Sequence, residues 1–361
     1  MRLPSRNGVE PGMDGTHERD CWEGESAAQR LRRLLAGCFV SQALRAAAEL
    51  DIAERLTEGP KNAAALAGDA GLEAHALHRL LRALASVGVF REDEQGRFAN
   101  TELSELLRAA SRDSQRAAAR MYGAEPYWKA AGGLLHSVRT GKPAFDALFG
   151  MPFFDYLSRD SDLARVFDEA MVSTAELSNS AMLEAYDFSH LRTITDVGGG
   201  YGSTLCAILR TTPRLRGILF DLPHAAEGAN RFIARQGLSG RCKVMTGDFF
   251  DAVPGGADAY FMRHILHDWD DERCVRLLRN CRAGMTGGGK LLVCERILPP
   301  GNQPCYAKIS DLIMMVLSSG GRERSEGQYR ELLAAAGFAL TRVVTTRSDH
   351  SVLEAVASQS A

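Results

Sequence analysis

The stretch that decides the fold of this chain is residues 196–202, which read Asp-Val-Gly-Gly-Gly-Tyr-Gly. An apolar run that predicts a strand precedes it, and a helix is predicted directly after it, over residues 203–210. Glycines between a strand and a helix tolerate positive φ and let a ligand contact the backbone. In a parallel α/β sheet that ligand lies beyond the carboxyl end of the strand. The stretch therefore predicts a nucleotide-like ligand at a sheet edge.

The spacing of the glycines separates two kinds of ligand. A dinucleotide-binding loop has the pattern G-x-G-x-x-G. Here Gly198, Gly200 and Gly202 give G-x-G-x-G, and Asp196 stands two residues before the first of them. This form is typical of methyltransferases that use S-adenosylmethionine, in which the loop approaches the amino-acid part of the cofactor. An ordinary tight turn is the alternative interpretation of the loop.

The pattern around this loop predicts a class I methyltransferase fold of the α/β class. Short apolar runs alternate with helical segments, which is typical of a Rossmann-like parallel sheet covered on both faces. Two further strands, at residues 339–346 and 351–356, have only a short link between them, so they must pair antiparallel. We assign residues 191–361 to this catalytic domain, with a late antiparallel hairpin.

Acidic residues follow the next two strands in the order that cofactor binding requires. Asp221 ends the second strand, where a carboxylate can accept hydrogen bonds from ribose hydroxyls. It could also serve as a helix N-cap. Asp248 and Phe249 follow the third strand, where an acid suits the adenine amino group and an aromatic ring can stack on the base.

The candidate catalytic group lies after the fourth strand, in residues 263–271, Arg-His-Ile-Leu-His-Asp-Trp-Asp-Asp. Glu295 ends the fifth strand at the same edge, and Glu323 precedes the last helix, whose start has a capping box of Ser325 and Gln328. A histidine such as His267 between two carboxylates is a plausible general base, because they fix its tautomer and stabilise the imidazolium.

The N-terminal sequence predicts a mostly helical domain, which could bind either DNA or a second copy of the chain. Residues 1–24 are polar and read as a disordered tail. Residues 25–112 give helix, turn, helix and hairpin, the outline of a winged helix, which would fit either DNA binding or dimerisation. Residues 29–108 contain eleven basic and eleven acidic side chains, which favours dimerisation because a DNA-reading domain leaves a basic footprint. Residues 113–190 predict a helical linker that supplies aromatic and methionine side chains to a substrate pocket.

Composition excludes several other classes. The net charge is −2, so nothing global favours nucleic acid or an anionic membrane, and no apolar run is long enough to span a bilayer. The eight cysteines have no zinc-like spacing. With no export signal they predict free thiols in a cytoplasmic protein.

Taken together, these motifs resemble the plant-type O-methyltransferases, the family of caffeic acid and acetylserotonin O-methyltransferases and of bacterial enzymes that tailor aromatic natural products such as antibiotics in secondary metabolism. The resemblance runs from about residue 25 to the C-terminus. It rests on Asp-Val-Gly-Gly-Gly, Phe-Asp-Leu-Pro, Gly-Asp-Phe-Phe, His-Asp-Trp-Asp-Asp and Gly-Arg-Glu-Arg-Ser. It implies methyl transfer from S-adenosyl-L-methionine, which leaves S-adenosyl-L-homocysteine, to a hydroxyl of a small aromatic substrate. It also implies a homodimer formed through the N-terminal domain.

The resemblance also implies roles for individual residues. His267 matches the catalytic base, and Glu295 and Glu323 match its flanking acids. The positions that match cofactor contacts are Asp196, Gly198, Gly200, Asp221, Asp248, Phe249 and Arg263, of which Arg263 replaces a lysine. The positions on the substrate side are Phe167, Met171, His264, Asp268, Met314 and Ser318. Of these, His264 replaces a pocket tryptophan and Ser318 an asparagine, so the substrate differs from that of the plant enzymes.

Three alternatives remain open from the sequence. The same fold can support cofactor-assisted hydroxylation or decarboxylation, although the relatives considered for this lack the histidine. The cofactor motifs are also compatible with N- or C-methylation, and a DNA-binding regulator is a third hypothesis. We expect no metal: Asp268, Asp270 and Asp271 resemble an oxygen-ligand cluster, but at a helix start they favour the interaction of acids with the helix dipole.

Overall fold

The computed structural model describes residues 24–111 and 113–358. The predicted N-terminal tail therefore lies outside the described residues, except for its last position. The chain divides into two compact units, residues 1–40 and residues 41–361. In the described part of the first unit, helix α1 begins and presents an exposed apolar face, whose side chains are Leu31, Leu34, Leu35 and Phe39.

The N-terminal elements have the predicted helix, helix and hairpin order. In chain order they are α1 (Ala27–Glu49), α2 (Ile52–Arg55), β1 (Lys61–Asn62), α3 (Ala63–Ala70), α4 (Ala74–Ala85), β2 (Phe90–Glu92), β3 (Arg97–Asn100) and α5 (Glu102–Glu105). Asn62 caps α3 by accepting a hydrogen bond from the Ala65 amide, as its short polar side chain predicts. The strands form a small antiparallel sheet in the order β1-β3-β2, and Phe90 and Phe98 are buried beneath α3 and α4.

The middle region is entirely helical in its described residues. Its helices are α6 (Arg116–Gly123), α7 (Glu125–Gly132), α8 (Leu134–Thr140), α9 (Ala144–Phe149), α10 (Phe153–Leu157) and α11 (Ser161–Ala185). Most of the aromatic side chains that the sequence placed here pack into one apolar cluster, in which Phe145 contacts Phe153 edge-on at 5.2 Å between ring centroids. Helix α15 (Tyr306–Leu317) contributes Val316 and Leu317 to the same cluster, so these helices pack against an element of the C-terminal region.

The C-terminal region alternates strands and helices. Its elements are β4 (Thr193–Val197), α12 (Ser203–Thr211), β5 (Arg216–Asp221), α13 (Ala226–Arg235), β6 (Cys242–Thr246), β7 (Ala259–Arg263), α14 (Asp271–Gly284), β8 (Lys290–Arg296), α15 (Tyr306–Leu317), α16 (Glu326–Ala335), β9 (Phe338–Thr345) and β10 (His350–Ala357). Short 3₁₀ turns lie at Pro223–Ala225 and Leu266–Asp268. The capping box of Ser325 and Gln328 at the start of α16 is present as predicted.

These strands form one seven-stranded sheet in the order β6-β5-β4-β7-β8-β10-β9. The first five strands pair in parallel, and β10 pairs antiparallel with both β8 and β9. Alternate residues of the central strands enter two separate apolar clusters, one on each face, as near-continuous apolar strands require. The predicted methyltransferase fold with a late antiparallel hairpin is confirmed.

Two smaller expectations can also be compared with the structure. The seven cysteines among the described residues are free thiols, and Cys21 lies outside those residues. Within the described part of the chain, no helix has the length and apolar character needed to cross a membrane.

Candidate active site

The glycine loop joins β4 to α12 and has the strained backbone that its sequence predicts. The φ angles of Gly198, Gly200 and Gly202 are 70°, 56° and 82°, in the left-handed region that favours glycine. A Cβ at Gly198 would lie 2.5 Å from the Cδ1 atom of Ile265, whereas one at Gly200 would meet no atom within 4 Å. At position 198 a larger residue would therefore be strained by the positive φ and would also have to displace the terminal methyl of Ile265.

Asp196, at the end of β4, is the buried acid of this loop. Its side chain is 2% exposed, and burial together with the nearby Asp221 carboxyl raises its pKa to about 7, against the opposing effect of Arg263. No group among the described residues donates a hydrogen bond to its carboxyl. A buried carboxyl without a donor favours a ligand that brings one. The ammonium group of an amino-acid moiety would supply both a donor and a charge.

Asp221, at the end of β5, holds the loop from the opposite side. Its Oδ2 accepts a hydrogen bond from the Gly200 amide at 2.7 Å, and its Oδ1 accepts one from the Leu222 amide at 2.7 Å. Burial raises the pKa of this carboxyl, and the two amides oppose that shift. Each oxygen keeps a second acceptor site, which is what two ribose hydroxyls need.

The predicted adenine contacts form an aromatic wall after β6. Asp248 Oδ1 accepts a hydrogen bond from the Phe250 amide at 2.8 Å, which fixes the turn. The Phe249 ring meets Phe250 and Trp269 edge-on, with centroids 4.8 Å and 6.1 Å away. A Cβ at Gly198 would lie 3.5 Å from the Phe249 ring, so this wall borders the glycine loop.

Arg263, at the end of β7, connects the sheet to two helices. Its Nη2 donates to Ser178 Oγ at 2.6 Å and to the Thr174 carbonyl at 3.1 Å, and its Nη1 donates to Thr204 Oγ1 at 3.3 Å. Burial lowers the pKa of this guanidinium, and Nε is buried without a partner. Arg263 therefore links α11 and α12 at the sheet edge.

His267 lies in the 3₁₀ turn after β7 and is almost fully buried. Its Nδ1 lies 3.1 Å from Glu323 Oε1, within hydrogen-bond distance, and its Nε2 lies 3.6 Å from Asp268 Oδ1. A hydrogen bond from Nδ1 to Glu323 leaves the lone pair of the neutral ring on Nε2. The ring therefore has one anchored nitrogen and one that can act as a base.

Glu323 is the ionised partner of His267. Its Oε1 also accepts a hydrogen bond from Ser310 Oγ at 2.6 Å, and its backbone amide donates to Asp311 Oδ1. Burial would raise the pKa of this carboxyl, but the His267 and Ser310 hydrogen bonds outweigh it and lower the pKa. The charged form of Glu323 is therefore favoured.

Glu295, at the end of β8, has a different environment. Its Oε1 accepts hydrogen bonds from the Ile265 and Leu266 amides at 2.9 Å and 3.0 Å. Its Oε2 is buried without a hydrogen-bond partner and lies 3.8 Å from His267 Nδ1. Burial raises the pKa of this carboxyl. Glu295 thus fixes the backbone of the turn that carries His267, and its free oxygen lies farther from Nδ1 than Glu323 Oε1 does.

These neighbours determine the protonation of His267. Burial lowers the pKa of the imidazole, but Glu295, Asp268 and Glu323 together raise it to about 9. The nearest ligand atoms of His267, Glu295 and Glu323 all lie within 4.8 Å of one another, a spacing that a metal ion could also bridge. Within that group Glu323 Oε1 is engaged with His267 and Ser310, whereas Oε2 of Glu323 and Oε2 of Glu295 are buried without a hydrogen-bond partner among the described residues.

The three acids after His267 do not share one role, which corrects the interpretation that all three meet a helix dipole. Asp270 caps α14 by accepting from the Arg273 amide, and Asp271 pairs with Arg322 and Arg324. Asp268 is instead in the 3₁₀ turn, where burial raises its pKa to about 7. It belongs with the residues around Nε2 of His267.

The residues predicted for the substrate side come from three elements. Phe167 and Met171 lie on α11 and border the apolar cluster of the middle helices. His264 stacks on His267, with ring centroids 5.1 Å apart. Met314 lies on α15, and a Cβ at Gly321 would lie 2.6 Å from Ser318 Cβ and 2.9 Å from the His267 carbonyl. Ser318 is therefore near the backbone of the catalytic turn.

Two site residues were missed from the sequence. Ser310 bonds Glu323 from α15, and nothing local in the sequence distinguishes it from other helical serines. Arg296 lies 3.9 Å from Glu323 through its Nη1. An arginine at the end of an apolar strand, directly after a candidate catalytic glutamate, is a signal that could have identified it.

The chain matches two family models: an O-methyltransferase domain over residues 132–339 and an O-methyltransferase dimerisation domain over residues 32–109. It is 45% identical over 325 residues to the phenazine O-methyltransferase PhzM of Lysobacter antibioticus, which covers 90% of this chain and 95% of that protein. It is 41% identical to the 3-amino-4-hydroxybenzoate 4-O-methyltransferase of Streptomyces cremeus, with 89% and 88% covered.

A solved structure agrees with the sequence relatives. The O-methyltransferase NcsB1 from neocarzinostatin biosynthesis, in complex with S-adenosylmethionine and 2-hydroxy-5-methyl naphthoic acid, is 36% identical with a TM-score of 0.75. The match covers 88% of this chain and 96% of that one. The predicted resemblance and the predicted cofactor are thereby confirmed.

Proposed function

This chain belongs to the O-methyltransferase family and is an S-adenosylmethionine-dependent enzyme, and we propose that it methylates a phenolic hydroxyl of a small aromatic natural product. The observation that supports this most is the buried pair of His267 and Glu323 at the carboxyl edge of the sheet. The similarity to enzymes named for phenazine and aminohydroxybenzoate substrates supports an aromatic acceptor made in secondary metabolism.

The cofactor, when bound, supplies a methyl group that its sulfonium already makes electrophilic. We assign its amino-acid part to Asp196 and to the backbone of Gly198 and Gly200. Asp221 would receive the ribose hydroxyls. Asp248 and Phe249 would receive the adenine. Arg263 would act by holding α11 and α12 against this site rather than through a free guanidinium, because its Nη atoms are already bonded to both helices.

His267 would remove the proton from the acceptor hydroxyl through Nε2. The hydrogen bond of Nδ1 to Glu323 selects the tautomer in which Nε2 is unprotonated, and the carboxylate stabilises the imidazolium that forms. Glu295 positions the catalytic turn through its two backbone hydrogen bonds. A phenol has a pKa near that of tyrosine, ~10, so a base with a pKa of about 9 is well matched to it.

Alignment of the acceptor oxygen with the methyl group would provide much of the remaining rate. Orientation can contribute up to ~7–11 kcal/mol in the best intramolecular models. We assign this positioning to the residues of the substrate side, Phe167 and Met171 on α11 with Met314 and Ser318 on α15. Asp268, which faces Nε2, would accept a second polar group of the acceptor.

The test of this proposal is His267→Ala, assayed for both products, the methylated acceptor and S-adenosylhomocysteine. Loss of the base should lower kcat by about 10²–10⁴-fold while the affinity for S-adenosylhomocysteine stays unchanged. The exposed His136 provides a matched control, because His136→Ala should leave turnover unaltered. Unchanged turnover in His267→Ala would remove His267 from the mechanism.

Product without an added methyl would instead indicate the hydroxylation or decarboxylation alternative, and the position of the methyl distinguishes oxygen from nitrogen or carbon.

We also propose a homodimer formed through the N-terminal region, in the cytoplasm and without a nucleic-acid partner. The dimerisation domain and the exposed apolar face of α1 support this assembly, because contiguous exposed apolar surface commonly marks an interface. The proposed domains are residues 25–112 for dimerisation, 113–190 for the linker and pocket, and 191–361 for catalysis. Light scattering should give twice the chain mass, and Leu34→Glu should shift it toward the monomer while Arg30→Glu does not.

A further inference from the structure

A polar group of three side chains, which we call the His–Arg layer, lies against one face of His267. It consists of His264, Arg296 and His350. The His264 ring stacks on His267 at 5.1 Å, and its Nε2 contacts both the Nε2 of His350 and the Nη1 of Arg296, the latter at 3.3 Å. The backbone of His264 has φ of 55°, which is unfavourable for a residue with a Cβ. The fold thus accepts strain at the residue that presents this layer to the base.

Arg296 has donors that the protein leaves unused. Its Nε donates to Asp349 Oδ2 at 2.6 Å, and its Nη1 contacts His264. Within the described part of the chain, Nη2 has no hydrogen-bond partner. The side chain is only 8% exposed, yet Nη2 is not itself sealed from solvent and can be reached by a ligand. The Nη2 of such a guanidinium can still donate hydrogen bonds to an oxygen atom of a ligand.

The surroundings of Arg296 place it on the acceptor side of the site. Its guanidinium carbon lies 5.0 Å over the ring of Tyr306, and the hydroxyl of Tyr306 is 2.7 Å from the hydroxyl of Tyr122. Tyr306 begins α15, the helix that also carries Met314, and Tyr122 lies on α6, which packs against α11. Arg296 therefore contacts the first residue of α15, one of the two helices that supply predicted substrate residues.

The charges around the layer define what it can bind. The facing anions are Asp349, which uses Nε, and Glu323, which lies 3.9 Å from Nη1 and is engaged by His267. Burial and neighbouring cations lower the pKa of both His264 and His350, so these rings are neutral and add no charge. The guanidinium disfavours a metal cation here. An anionic group with two oxygens suits its open donors.

We propose that Arg296 is a specificity-determining residue, and that the aromatic acceptor carries a carboxylate which Arg296 Nη2 receives beside His264. This inference rests on the proposed function, since it describes the molecule whose hydroxyl His267 deprotonates. The carboxylate would anchor one end of the ring system and thereby hold the hydroxyl at Nε2 of His267. Loss of the anchor should weaken the binding of a carboxylate acceptor more than the binding of its uncharged amide.

The test uses an unreactive pair of ligands that differ only at the anchor, a naphthalene carboxylate and the matching naphthalene carboxamide. Calorimetry with the enzyme saturated with S-adenosylhomocysteine gives their Kd values. We expect the wild type to bind the carboxylate at least about tenfold more tightly than the amide, as a charge-assisted hydrogen bond provides. In Arg296→Met that preference should disappear, and Arg296→Lys should retain part of it.

A wild-type preference for the carboxylate over the amide of less than about twofold would overturn the proposal. This measurement needs no variant, so the proposal stays testable even if Arg296→Met fails to fold. A preference that persists in Arg296→Met would also overturn it and would leave Arg296 as a positioning residue for Glu323. That second role predicts something different, an equal loss of kcat for all acceptors and a shifted pH profile.

Turnover provides an independent readout with meta-hydroxybenzoate and meta-hydroxybenzamide. Arg296→Met should raise KM for the acid by at least about tenfold more than it raises KM for the amide. An equal rise in KM for both acceptors would contradict the proposal. Because the calorimetric pair carries no hydroxyl, its result does not depend on methyl transfer, and failure of the proposed function is distinguishable from failure of this inference.

Discussion

The cofactor side and the acceptor side of this site are constructed in different ways. The cofactor side is formed mainly by backbone atoms: Gly198 has a positive φ with Ile265 close to it, and Asp221 accepts a hydrogen bond from the amide of Gly200. On the acceptor side, side chains from separate helices converge on His267, as Ser310 does through Glu323. The first arrangement permits little variation, whereas the second can change its substrate by changing individual side chains.

On the cofactor side, the largest expected effect comes from Gly198→Ala. The alanine would have an unfavourable φ and its methyl would press against Ile265, so we expect cofactor affinity to fall by at least about 100-fold. Gly200→Ala is the matched control, since it has a similar φ and open space around the Cβ. Its loss should be limited to the strain of the left-handed conformation, roughly 1–2 kcal/mol. Calorimetric binding of S-adenosylhomocysteine measures both, and equal losses would contradict the steric account.

The same contrast explains what the sequence could predict. The cofactor side was readable because glycine spacing and strand-terminal acids are local patterns. The late hairpin was readable from the short link between its two strands, whereas the sequence predicted no strand order. The acceptor side was readable only where a motif was available, as for His267. Ser310 was missed because its role depends on how α15 packs against the loop of Glu323, which no local pattern specifies. Arg296 was missed although its place directly after Glu295 was a local signal. Asp268 was likewise given a dipole role among its acidic neighbours, although the 3₁₀ turn buries it beside the base.

Smaller effects are expected from substitutions of Glu323 and Glu295, the two carboxylates that flank His267. Glu323→Gln removes the charge that bonds Nδ1, so kcat should fall by about 10²-fold, within the usual contribution of base catalysis. Glu295→Gln keeps an oxygen that can accept from the Ile265 and Leu266 amides, so we expect a loss of less than about tenfold. Single-turnover rates with saturating cofactor measure both. A larger loss in Glu295→Gln would reverse the roles given to the two acids.

The raised pKa of His267 predicts how stability and kcat/KM change with pH. Its folded-state pKa is raised to about 9 from an ordinary value near 6.5. The stability that this pair contributes is therefore complete below about pH 6.5 and is lost as the pH rises through about 9. Catalysis has the opposite dependence, because only the neutral ring accepts a proton, so kcat/KM should increase with pH up to about 9.

The central claim is that His267, held by Glu323, is the base that activates the acceptor. The most direct measurement is an NMR titration of the His267 ring, assigned by difference from His267→Ala, alongside the pH profile of kcat/KM. We predict a common midpoint near pH 9 for the ring and the rate, and a midpoint moved to lower pH for both in Glu323→Gln. A ring that titrates without a matching change in rate, or a midpoint unaffected by Glu323→Gln, would contradict the account.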